Sequence, residues 1–539
     1  MCGIVGYKNS SHAYKKVFLG LKNLSYRGYD SWGIAYVENS QVSIHKHLGA
    51  IPESIDEKET FLAFGHTRWA SHGIVSIENT HPFSNEHFSL VHNGVIENIE
   101  SLEVEFDISF TGNDSLFFLH LCTKIFLETK NLKNTLSFLA DKIRGKNIFI
   151  LLYKQDFYIL KKGLSLVGGQ NTLCFSSDLS GIEDSSFFLF PKECIVIVEE
   201  SFQIFNLHLQ PMKDTLYFEK PSHSLEYKKG SFSHFMLKEI YETPLYLEKL
   251  KDNFNQALFT KILHLSRVHK KLYLVGCGSS YYASLFIKRI LDEHESFSTE
   301  VLLGGDLSEN SYLIKEQAPI VFLSQSGETA DILSCLDFKL PFMFSLTNNQ
   351  YSYLALNTES INIHAGKEIA VASTKSFVNQ IYCFILGLNL DPSNIFISLI
   401  SEKIAQHEKI KSLALSSKNF KNIFFTGKNY SFFIAQESSL KLKELSYIPC
   451  ESFYSTEFKH GPLALIDEDS LVISLTYKEA RSHHEIITRK GTSILWEANT
   501  LLESLSLSIF GQLFAYEIAL LKNLNIDKPR NLAKSVTVQ

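Results

Sequence analysis

The sequence lacks the marks of several protein classes. It has no run of about 18 apolar residues, so no stretch reads as a membrane-spanning helix. No basic segment followed by an apolar stretch opens the chain, so no secretory signal is expected. Its eight cysteines are scattered over 539 residues and no CxxC occurs, which excludes a disulfide framework and argues for the cytosol. An excess of one charge is missing as well. Lys and Arg total 52 against 58 Asp and Glu, a net charge of −6. That mild acidity gives no general attraction to nucleic acid or an anionic membrane, and leaves only local basic sites open. What remains is an ordinary globular composition, 45% hydrophobic, in a chain too long for one core. Two or three domains are expected.

The texture changes part-way along. Through about residue 230 short apolar or alternating runs such as FLAFGHTRWA, FSLVHNG, NIFILLYK and ECIVIVEE predict strands, with helices such as AYKKVFLGLKNL between them. A Pro-, Ser- and Gly-containing stretch places a boundary near Gly230, with a helix beginning near Phe235. Beyond it strands alternate with helices, which predicts parallel sheets. KLYLVGCGSSYYASLFIKRILDE is a strand, a small-residue turn and a helix, and KNIFFTGKNYSFFIAQESSLKLKELSY repeats that order about 150 residues later. Two similar α/β subdomains in tandem follow from this, the second with fewer strands.

Several stretches carry chemistry. Ser324, Ser326 and Thr329 in SQSGETADIL are hydroxyls on a strand-to-helix turn, a setting that suits a phosphate; the same pattern also caps a helix. The motif is not a Walker A loop. CGSSYYAS, from Cys277 to Ser284, has similar character, and no acidic residue follows where a dinucleotide site would need one. Lys441 and Glu444 stand at i and i+3 on a helix, the spacing of a surface ion pair. His460 falls in a Gly-Pro loop, ASTKSF carries Lys375, and Lys534, near the C-terminus, reads by itself as a solvated lysine. Asn93-Gly94 is first of all a hairpin turn. Five histidines lie between His66 and His92, but their spacings match no zinc pattern and no cysteine is near, so no metal is expected. Cys2 raises a different question. As an N-terminal residue it would join a thiol nucleophile to an amine base.

With these motifs assembled, the whole chain resembles the glutamine–fructose-6-phosphate aminotransferase (isomerizing) family. CGIVGY, RGYDSWG, HTRWASHG and HNGVIEN resemble its class II glutaminase domain. HFMLKEI, SQSGETAD, VASTKSF, KLKELSYI, EFKHGPLALI and PRNLAKSVTV resemble its pair of sugar isomerase (SIS) domains. The resemblance implies a multidomain α/β and α+β chain: an N-terminal nucleophile αββα sandwich over 1–230, a linker helix and first SIS subdomain over 231–400, a shortened second one over 401–526, and a tail, 527–539, completing the sugar site. It implies glutamine-dependent conversion of fructose 6-phosphate to glucosamine 6-phosphate, the first step towards UDP-N-acetylglucosamine.

The resemblance also implies roles. Removal of Met1 would expose Cys2 as the nucleophile, its α-amine (pKa about 7.7–8.0) serving as base. Asn93 and Gly94 would form the oxyanion hole, Arg68 and Asp114 would hold glutamine, and Trp69 would gate an ammonia channel. In the sugar site Ser279, Ser280, Ser324, Gln325, Ser326, Thr329, Val371 and Ser373 would bind sugar phosphate. Lys534 would form the Schiff base, Glu444 would move the proton with help from Lys441, and His460, from a neighbouring subunit, would open the ring. No cofactor is needed, a homodimer is expected, and the partners are the two small substrates, with neither nucleic acid nor membrane. The chain departs from the family pattern at Trp32, Ser71, Ser279 and Gln539. The alternatives are another class II amidotransferase, for which no phosphoribosyl-diphosphate or ATP loop is found, and a sugar-phosphate-sensing SIS regulator. Leu532, Val536, Thr537 and Val538 are expected to pack and hold the tail in place, after Pro529 stops the preceding helix.

Overall fold

A computed structural model describes residues 2–69, 74–110, 112–212, 217–219, 228–314, 317–476 and 480–536. The chain divides into two compact units, Met1–His223 with Ser535–Gln539, and Ser224–Lys534.

The first unit is a sandwich of two largely antiparallel sheets. One has eight strands, with Gly3–Lys8 central between Leu173–Ser176 and Leu62–Arg68. The other has six, with Ser89–Gly94 beside Asn147–Tyr153. Strand alternation sorts the core. Ile148, Ile150 and Leu152 point to the first sheet, where Ile4, Phe64 and Phe175 meet them. Phe149 and Leu151 point the other way, towards helices Asp114–Thr129 and Leu132–Lys142. Helix Ala13–Asn23 covers the outer face of the eight-stranded sheet with Tyr14, Val17 and Leu21. The order is helix, sheet, sheet, helix, as the αββα expectation required.

The second unit holds two all-parallel sheets. The first has five strands in the order Ser298–Leu303, Lys271–Gly276, Ile320–Leu323, Met343–Thr347, Glu359–Asn362. The second repeats that order with four, Cys450–Tyr454, Asn422–Gly427, Ser470–Leu475, Thr492–Trp496. The tandem repeat and its shortened second member are both present. One apolar core, from Met236 to Ile526, runs through this unit.

The sequence understated helix Leu501–Leu521. It is long and apolar enough to cross a membrane, yet 89% of its apolar window is buried inside the protein. Ser and Gln punctuate its apolar residues, and Thr500 and Glu503 cap its start reciprocally. It is the core helix of the second unit, apolar on every face because every face is covered. Pro529 does not stop it. The helix ends at Leu521, and Asn523 turns the chain in the left-handed region, φ 53°.

Candidate active sites

In the first unit, strand pairing brings the glutaminase-like residues together. Cys2 precedes its strand and is partly buried. Its Sγ accepts the Trp69 N–H at 3.5 Å, and the Trp69 ring lies edge-on to Tyr29. From the facing sheet, the Asn93 side-chain amide donates to the Cys2 carbonyl at 3.2 Å. Asn93-Gly94 is not a hairpin turn: it ends a strand whose antiparallel partner is Asn147–Tyr153, about 50 residues on. Gly94 has φ +127°, and a Cβ there would lie 2.3 Å from the Lys146 carbonyl oxygen, so no other residue fits. Arg68 ends its strand almost wholly buried and donates to the Ile74 carbonyl at 3.4 Å. Burial depresses its pKa, opposed by Cys2, Asp30 and Asp114. Asp114 begins helix Asp114–Thr129, and its carboxylate accepts the Ile96 N–H at 3.3 Å. Arg68 thus lies within electrostatic reach of both Cys2 and Asp114, and a cation paired with an anion is the pattern that an α-amino acid needs. Ser71 lies outside the described residues.

Of the five histidines, His66, His81 and His92 are buried side by side. His81 and His92 both bond Ser115 Oγ, at 3.1 and 2.9 Å, and His92 reaches Asn147 at 2.8 Å. His87 stands apart and His72 lies outside the described residues.

In the second unit, the loops at the strand C-termini carry the hydroxyls. Ser324, Gln325, Ser326 and Thr329 join strand Ile320–Leu323 to helix Ala330–Cys335. Ser324 Oγ bonds Thr329 Oγ1 at 3.0 Å and accepts the Gly327 N–H at 3.1 Å. Gly327 has φ +65°, and a Cβ there would sit 2.0 Å from Ser352 Oγ. The following helix has only six residues, so an anion held here would depend on hydroxyls and loop amides more than on a long helix dipole. Ser279 and Ser280 open the 16-residue helix Ser279–His294. Ser279 donates to Glu437 at 2.9 Å, and Ser280 accepts from Gln380 at 3.0 Å.

Lys441 and Glu444 are not a surface pair. Lys441 is 1% exposed and lies 2.6 Å from Glu444 and 3.5 Å from Glu437. Burial alone would lower its pKa, but the two carboxylates raise it overall. Burial pushes Glu437 up to about 7, with Glu444 adding to the rise and Lys441 opposing it. Glu444 is the member of the trio still open to solvent. His460 follows the turn Glu457–Lys459 and is exposed; its ring makes no hydrogen bond among the described residues.

Lys534 and Lys375 are buried too. Lys534 pairs with Glu368 at 2.9 Å, and Lys375 with Glu242 at 3.0 Å. Glu368 also accepts from Thr374 and Ser376, whose loop carries Val371 and Ser373. The Val371 N–H donates to the Asp527 carbonyl at 3.0 Å, tying that loop to the chain leading into the tail. Of the tail residues expected to pack, Leu532 is half-buried. Val536 is 55% exposed, and Thr537 and Val538 lie outside the described residues. Polar contacts also hold the tail: the ion pair of Lys534, and Arg530 over the Tyr447 ring with its N–H on the Tyr447 hydroxyl.

The SIS domain family matches residues 264–385 and 415–484. The glutamine–fructose-6-phosphate aminotransferase [isomerizing] of Oceanobacillus iheyensis is 33% identical over the full length of both chains, and that of Listeria innocua is 32% identical over the same extent. The chain belongs to this aminotransferase family. The C-terminal domain of the Francisella tularensis glucosamine-fructose-6-phosphate aminotransferase superposes with a TM-score of 0.51 at 25% identity, covering 56% of this chain and 99% of that one. For a member of the aminotransferase family, the motifs found in the sequence take in the hydroxyl loops, Cys2 and the buried lysines. Two buried groups, Glu368 and Glu437, lie outside them, and two more, His66 in HTRWASHG and Glu239 in HFMLKEI, lie inside motifs that gave them no role. Glu437 stands one helical turn before Lys441.

Proposed function

We propose that this chain is a glutamine–fructose-6-phosphate transaminase (isomerizing) working through two sites. With Met1 removed, the Cys2 thiol passes its proton to its own α-amine, and the thiolate attacks the glutamine side-chain amide carbon. Asn93 Nδ2 and the Gly94 N–H hold the oxyanion, Arg68 the α-carboxylate and Asp114 the α-ammonium. Ammonia leaves, and water hydrolyses the thioester to glutamate. In the second unit the loops of Ser279, Ser280, Ser324, Gln325, Ser326, Thr329, Val371 and Ser373 bind fructose 6-phosphate. Lys534, once it has given up its proton, attacks the C2 ketone and water is lost. Ammonia then replaces the lysine at C2, and Glu444 takes a proton from C1 and returns it to C2, with Lys441 holding the carboxylate in place.

The observation that carries the glutaminase half is the placement of the Asn93 amide on Cys2, from opposite sheets, beside a buried Arg68. We assign 1–230 to glutamine hydrolysis, 231–400 and 401–526 to the SIS pair and 527–539 to the sugar site. The exposed His460 acts, on this proposal, in the site of a second copy within a homodimer. Eight free thiols suit the cytosol. The test is product analysis by mass spectrometry: the protein with glutamine and fructose 6-phosphate should release glutamate and glucosamine 6-phosphate in equal amounts. Glutamate without amino sugar would reject the synthase half.

A further inference from the structure

We infer that the buried His66 is a positioning residue for the oxyanion hole, locking the Asn93 amide in the orientation that turns its NH2 group towards Cys2. The inference rests on the proposed glutaminase site and adds a residue to it. His66 sits on strand Leu62–Arg68, in register with Ile4, two residues from the nucleophile. Asn93 sits on the other sheet. His66 Nε2 lies 3.0 Å from Asn93 Oδ1 and 3.0 Å from the His92 carbonyl oxygen. Both neighbours are acceptors, so Nε2 must carry the hydrogen. Asn93 Oδ1 is thereby occupied, and its Nδ2 is left to face Cys2, where it donates to the main chain at 3.2 Å.

Burial drives the His66 pKa down to about 3, so the ring stays neutral at working pH, with one hydrogen to give. Its other nitrogen, Nδ1, has no hydrogen-bond partner among the described residues and is packed beside the His81 ring, centroids 4.1 Å apart. The ring is thus buried for a single donated hydrogen. Without that donor nothing on the His66 side distinguishes the two ends of the Asn93 amide. A half-turn would then set a carbonyl oxygen against the developing oxyanion, exchanging attraction for repulsion.

The full-length protein tests this through glutamate release. His66→Leu should lower kcat by about 10- to 100-fold, short of losing the oxyanion donor outright. KM for glutamine should hold, since Arg68 and Asp114 are untouched. The affinity for glutamate γ-semialdehyde, which forms a tetrahedral adduct on Cys2, should fall by the same factor, and that for glutamate should not change. His66→Gln, which keeps a donor, should recover most of the rate. In an Asn93→Ala background His66→Leu should have no further effect, because the side chain it positions is gone. An equal further loss in that background, or unchanged semialdehyde affinity, overturns the inference. If His66→Leu does not fold, His66→Asn, whose amide is too short to reach Asn93, takes its place. Undiminished hydrolysis by Asn93→Ala would overturn the oxyanion hole itself, whereas a slow Asn93→Ala beside a fast His66→Leu overturns only the part given to His66.

Discussion

Replacing Glu239 with glutamine should protect the protein against mild alkali. Glu239 lies on helix Phe235–Tyr241, fully buried, and its Oε1 accepts the N–H groups of Ile369 at 2.6 Å and Ala370 at 3.1 Å. Burial and the neighbouring Glu368 charge push its pKa up to about 8, against the pull of Lys534 and Lys375. The folded protein therefore keeps the proton over a range in which the unfolded chain, near 4.5, has lost it. Between those values the unfolded state binds fewer protons, so stability falls with rising pH by about 1.4 kcal/mol per unit, up to an order of 5 kcal/mol by pH 8. Lys534 and Glu368 respond to the same proton, and we take about 2 kcal/mol as the least effect to expect. Glutamine has no proton to lose, and its carbonyl oxygen can still accept both amides. Calorimetry of the full-length proteins from pH 5 to 9 reads the outcome. The melting temperature of Glu239→Gln, relative to wild type, should climb from pH 5 to about 8 and then level off. A difference that is flat or falls with pH would refute a protonated Glu239.

Cys2→Ser should abolish nearly all glutamine hydrolysis, because a hydroxyl is a far poorer nucleophile beside a weak amine base, and intact mass of active protein should show Met1 absent. Trp69→Ala should leave hydrolysis running while lowering the glucosamine 6-phosphate formed per glutamine consumed; an unchanged ratio counts against a gate. Lys534→Arg should abolish amino-sugar formation, since a guanidinium forms no imine. Borohydride with fructose 6-phosphate should tag the wild-type tail peptide and spare that variant.

The parts legible in the sequence were those fixed by local pattern. Alternating and continuous apolar runs gave the strands, and the repeated strand–turn–helix order gave the tandem parallel sheets, down to the shorter second one. Long-range pairing was hidden. Asn93-Gly94 looked like a turn because its strand partner is about 50 residues away. Lys441 looked like half of a surface pair because helical spacing does not say which face is buried, and Lys534 looked solvated because a position near the C-terminus says nothing about a carboxylate brought in from another element. Glu368 and Glu239 are far apart in sequence and meet only when helix Phe235–Tyr241 closes over the Val371 loop. His66 was visible as one of five histidines and as the first residue of HTRWASHG, and neither could reveal that its neighbour would be an asparagine side chain on the opposite sheet. In the tail hydropathy pointed to packing at Val536, which is exposed, and gave no hint of the ion pair between Lys534 and Glu368.

The four-stranded sheet ends on Thr492–Trp496, whose backbone pairs with Ser470–Leu475 alone among the described strands. That strand, TSILW, carries no charge, and Thr492 and Leu495 are exposed. A sheet trimmed by one strand leaves a template to which another chain could add. Its protection falls to gatekeepers at the two ends, the exposed Lys490 and Glu497. Neither charge belongs to the two sites described above, and neutralising both is expected to favour edge-to-edge association of copies, read as larger species by light scattering.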